Sequence, residues 1–126
     1  MQRDGESAMT AAPLNVDEMR QQLGNDDALI AEVIQLFLDD CPARMATLAS
    51  SIDAGDAAKV RRAAHAIKGG ASNFFAKGVV EAAAAVEMTA AGGDLTGINE
   101  LAERLDAEMR RLVTAMTGLR SAAQGQ

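Results

Sequence analysis

The sequence predicts an all-α domain, and three observations carry that prediction. Apolar residues make up 48% of the 126-residue chain but aromatic ones only 2%, whereas strands draw on aromatic and β-branched side chains. Alanine and leucine supply the apolar content instead, and both favour helices. Apolar residues also recur at steps of three and four through most of the chain, the spacing of one helix face. The expected architecture is an antiparallel up-down four-helix bundle with a short extra N-terminal helix, spanning residues 14–119. Residues 1–13 and 120–126 are small and polar and are expected to be flexible tails.

Each element has its own signals. Asn15 and Glu18 stand three apart, as in a capping box, and open a short helix with Val16, Met19 and Leu23 on its apolar side. Gly24 stops it, and Asn25 or Asp26 offers the next N-cap. Ile30, Val33, Ile34, Phe37, Cys41, Met45, Leu48 and Ile52 keep one helical phase on both sides of Pro42. A proline ordinarily ends or kinks a helix, but the preserved phase favours one long bent helix over about residues 27–54. "AGD" at 54–56 ends it and leaves Asp56 as the following cap. Val60, Ala63, Ala64, Ile67, Ala71 and Phe74 mark the third long segment, and "VVEAAAAVEMTAA" the fourth, over about 76–91. "GGD" at 92–94 breaks the chain again, with Asp94 expected to cap a last helix that begins at Leu95 and runs past Met116.

Charge excludes several function classes. The formal net charge is −6, contrary to what a phosphate-neutralising nucleic-acid binder needs. No run of 18 apolar residues crosses a membrane and no signal segment opens the chain, so a soluble, cytoplasmic protein is expected. Cys41 is the only cysteine and His65 the only histidine, so neither a disulfide nor a Cys-based metal site can form. Against this acidic background, "KVRRAAHAIKGGASNFFAK" (59–77) holds all three lysines, Arg61 and Arg62, and no acid. His65 sits in the middle of it.

At about 100° per residue, Arg61, Arg62, Lys68, Gly69 and Ser72 fall within about 60° of His65, and Val60, Ile67 and Phe74 on the opposite side. His65 therefore belongs to a solvent-facing cationic stripe, suited to an anion and set to disfavour the protonated imidazole. A glycine inside a helix costs roughly 1 kcal/mol against alanine. Gly69, on the exposed stripe, gives clearance for another molecule's surface to approach the ring. Gly70 lies nearer the buried side, where it can aid helix packing.

An exposed His followed by x-x-Lys-Gly and a small residue, as in "AAHAIKGGASNFFA", resembles the histidine-containing phosphotransfer (HPt) family. The resemblance extends to "LFLDDCP" and "AGD" before it and covers nearly the whole domain. One position departs: many members have glycine ten residues after the histidine, where this chain has Phe75. The resemblance implies a phosphorelay intermediate that carries a phosphoryl group on His65, through Nε2, between receiver-domain aspartates or from a sensor or hybrid histidine kinase. Lys68 would pair with the phosphoryl oxygens, Arg61 and Arg62 would hold the acidic rim of a receiver, and Gly69 and Ser72 would line the contact. Any Mg²⁺ would belong to the receiver, since the chain has no aspartate cluster of its own.

The lysine of "GGASNFFAKG" is not followed by Ser or Thr, so the Walker pattern is missing and ATP-dependent kinase activity is not expected. A non-catalytic helical adaptor, docking a receiver or kinase through the basic face with His65 inert, is the alternative. A general-base enzyme would want an orienting carboxylate, and the window around His65 has none. One apolar side per helix makes a monomer the expected state.

Overall fold

Five helices account for most of residues 12–123, the part of the chain that the computed structural model describes. They are α1 (Val16–Gln22), α2 (Asp27–Asp53), α3 (Ala57–Ser72), α4 (Lys77–Ala91) and α5 (Ile98–Ala123), with no strand among the described residues. Residues 1–11 and 124–126 of the expected tails lie outside the described residues. Residues 120–123 are helical, and the Arg120 guanidinium donates to Gln35 Oε1 at 2.8 Å.

The starts of α1, α2 and α3 follow from local chemistry. Asn15, Asp26 and Asp56 each accept a hydrogen bond from the backbone N–H three residues on, so each satisfies a donor the helix itself leaves unpaired. Pro42 lies within α2, which runs unbroken past it as the phase of the apolar residues predicts. One expected cap is overturned. Asp94 accepts from the backbone N–H and hydroxyl of Thr96, at 3.0 and 2.7 Å, and so closes a local turn instead of a helix. Helix α5 starts three residues later than expected, at Ile98, after Gly97 at φ 80°.

Packing joins α2 to α3, α3 to α4, α4 to α5 and α5 back to α2. The core fills with Met19, Ile30, Ile34, Ile67, Leu105, Leu112 and Met116, all fully buried. Each large apolar side chain contributes roughly 1.5–3 kcal/mol relative to exposure. The buried sides of α3 and α4 are lined largely by alanines, among them Ala63, Ala64, Ala71, Ala82, Ala83 and Ala90. Small side chains let these two backbones come close, which puts α4 within reach of side chains on the flank of α3.

The end of α3 explains the departure at Phe75. Ala76 N–H donates to Ala71 O and Phe75 N–H to Ser72 O, at 3.3 and 3.0 Å, the paired bonds of a Schellman turn. That motif needs a left-handed residue at Phe75, which has φ 55°. The end of α2 makes the same pair of bonds around Gly55 at φ 65°. Phe75 thus occupies a glycine position, and its half-buried ring packs against the core. Phe75→Gly is expected to be more stable than Phe75→Ala by about 1 kcal/mol, the reverse of the usual order, because only glycine is unstrained there. Chemical denaturation of both variants checks this.

Candidate functional site

The cationic stripe on α3 stands where the sequence places it. The side chain of His65 is 66% exposed, and Arg61, Arg62, Gly69 and Ser72 are exposed around it, with Lys68 half-buried. Among the described residues Arg61 and Arg62 have no hydrogen-bond or ion-pair partner, so their guanidinium groups stand in solvent. A Cβ built on Gly69 would meet nothing within 4 Å, so no neighbour inside the protein accounts for its missing side chain. A Cβ on Gly70 would make an ordinary 3.9 Å contact with Phe37, which leaves room for packing there. Ser72 Oγ donates to the Lys68 carbonyl oxygen at 2.8 Å, so its hydroxyl is engaged within α3.

The expectation of an acid-free setting does not hold in three dimensions. Glu87 on α4, 17% exposed, places Oε2 at 2.8 Å from His65 Nδ1 and accepts from Lys68 Nζ through Oε1 at 2.7 Å. One carboxylate thus ties together the two residues that the sequence singles out. Hydrogen bonds from Lys68 and then His65 hold the Glu87 carboxyl below its ordinary value, against the opposing effect of burial. Ionised Glu87 can only accept, so His65 Nδ1 bears the ring proton. Nε2, on the far side of the ring, then has a free lone pair in the exposed direction.

Arg44 was also missed. It reaches across from α2 to within 3.5 Å of the Ala66 carbonyl oxygen and lies 4.0 Å from Asp40. For Glu87 the sequence holds a partial signal. Glu87 lies three residues before buried Ala90 and four after buried Ala83, so it borders a buried face, where a carboxylate needs a partner. The only thiol, Cys41, is buried, and that burial raises its pKa, which leaves it a core residue and not a nucleophile.

Three comparisons with known proteins bear on this site. Residues 32–115 match the family model described as the Hpt domain. A search of curated proteins finds no match. Among solved structures, the fold is similar to histidine-containing phosphotransfer protein B (HptB) from Pseudomonas aeruginosa PAO1, with a TM-score of 0.83. The two share 24% identity over 89% of this chain and 97% of that one.

Proposed function

We propose that this chain, which belongs to the Hpt domain family and is a histidine phosphotransfer protein of a phosphorelay, carries the phosphoryl group on Nε2 of His65. The single observation behind the choice of atom is the Glu87 contact, which holds the proton on Nδ1 and leaves Nε2 bare toward solvent. His65 is the only histidine in the sequence, so no other imidazole competes. The closed cycle of contacts among α2, α3, α4 and α5 supports an up-down four-helix bundle as the scaffold.

The chemistry needs little more than positioning and charge. The Nε2 lone pair forms a bond to the phosphorus of an aspartyl phosphate on a docked receiver. The bond from phosphorus to the aspartate oxygen breaks, and the carboxylate leaves with the electron pair. No proton moves at Nε2. The ring, still protonated at Nδ1, takes on positive charge that Glu87 faces. Lys68 is one turn from His65 and supplies positive charge to the phosphoryl oxygens. In the resting site it is bound to Glu87 on the Nδ1 side, so this role has it turn toward the incoming group. Arg61 and Arg62, free in solvent, suit the acidic rim of a receiver and speed its encounter. Gly69 gives the clearance for that surface to close on the ring. The Mg²⁺ that such a transfer uses belongs to the receiver, and the reverse reaction passes the group to a second aspartate.

The adaptor reading differs only in whether His65 takes label. A receiver charged with labelled phosphate is expected to transfer it to the wild-type protein, as acid-labile, base-stable label on the peptide containing His65. Receivers that bind in their phosphorylated form but never transfer label would leave the basic face as a docking surface alone.

A further inference from the structure

Glu87 faces a consequence of the transfer beyond the choice of tautomer. When a phosphoryl group leaves Nε2, the ring departs as neutral imidazole if Nδ1 keeps its proton, and as the far poorer imidazolate if it does not. The occupancy of that one proton therefore sets how readily the group moves on. A carboxylate oxygen stands 2.8 Å from Nδ1, on a side chain mostly shielded from water, and Lys68 anchors the other oxygen.

We propose that Glu87 is a positioning residue that keeps phosphorylated His65 labile by retaining the proton on Nδ1, so that onward transfer releases neutral imidazole. This inference rests on the reading of His65 as the phosphorylated residue. In balance, the N–P bond breaks, its electron pair returns to Nε2, the acceptor oxygen bonds to phosphorus, and the Nδ1–H···Glu87 hydrogen bond persists throughout. Lys68 adds a second element. When it turns to the phosphoryl oxygens, Glu87 loses its other partner among the described residues and its full charge falls on the ring.

The other charges around this stretch of α3 are Lys68, bound to the same carboxylate, the exposed Arg61 and Arg62 one turn before His65, and Arg44 from α2, which reaches the Ala66 carbonyl oxygen. All are cations and all oppose the extra proton, so among the described residues Glu87 is the group beside the ring that favours it. An opposite charge at this range favours the charged form of the ring.

The test needs no partner protein. The full chain, phosphorylated with phosphoramidate, is followed by ³¹P NMR as it loses phosphate to water at several pH values, alongside Glu87→Gln and Glu87→Asp. Wild type is expected to stay labile to a higher pH than Glu87→Gln. Near neutrality it should lose phosphate about tenfold faster, the order of effect that one close opposite charge confers. Glu87→Asp, a shorter carboxylate, should fall between them. Coincident pH profiles would overturn the proposal.

Ring ¹⁵N shifts of unphosphorylated wild type guard against a variant that misfolds. A proton found on Nε2 instead of Nδ1 overturns the inference whatever the variants do. Wild type that shows the expected tautomer yet takes no phosphate on His65 sinks the phosphohistidine reading first, and this inference with it.

Discussion

His65→Gln is expected to reduce phosphoryl acceptance from a charged receiver to background while leaving the fold and the docking intact. The side chain is mostly in solvent, and its hydrogen-bond partner among the described residues is Glu87. Glutamine is a good helix former, so α3 keeps its intrinsic stability. Its amide can donate to the same carboxylate, which keeps Glu87 and Lys68 in place, but it has no nucleophilic lone pair on nitrogen. Circular dichroism should therefore match wild type, and receiver affinity should change little, while transfer disappears. Label that persists in the variant would place the chemistry elsewhere.

Gly69→Gln is expected to move stability and function in opposite directions. No atom lies within 4 Å of the added Cβ, so the substitution creates no clash in the folded chain. Removing a mid-helix glycine should raise stability by about 1 kcal/mol, read from chemical denaturation. The new side chain stands one turn from His65 on the exposed stripe, where it props a docking surface away from the ring. A misplacement of about 1 Å costs roughly 100-fold in rate, and transfer from a receiver should fall by that order. Phosphoramidate is small enough to reach Nε2 past the new side chain, so its rate should hold. A variant that is stabilised and yet accepts phosphate normally from receivers would remove the clearance role from Gly69. Equal losses with both donors would point to damage at His65 itself.

How much of this was legible beforehand depends on the range of the interaction. The helices of the apolar stripes, the caps at Asn15, Asp26 and Asp56, and the passage of α2 through Pro42 are all local, and the sequence shows them. The exposure of His65 and the open space at Gly69 follow from helical phase alone. Asp94 misled because an Asp can satisfy either a helix start or a short turn, and Thr96 two residues on decides for the turn.

Glu87 was hidden for a different reason. It lies 22 residues from His65 in the chain, and only the close approach of two alanine-lined helices brings them together. A count of charges within the window around the histidine cannot register a partner from the next helix. Phe75 stood between these cases. Its departure from the family pattern was visible, but the left-handed turn that makes the position special appears only in the backbone.

The bond that defines the proposed function joins phosphorus to Nε2 of His65. It is tested most directly by ¹⁵N–³¹P coupling in the phosphorylated, ¹⁵N-labelled protein. A one-bond coupling from phosphorus to Nε2 is expected, with Nδ1 still protonated. A coupling to Nδ1, or phosphate on any other residue, would contradict it.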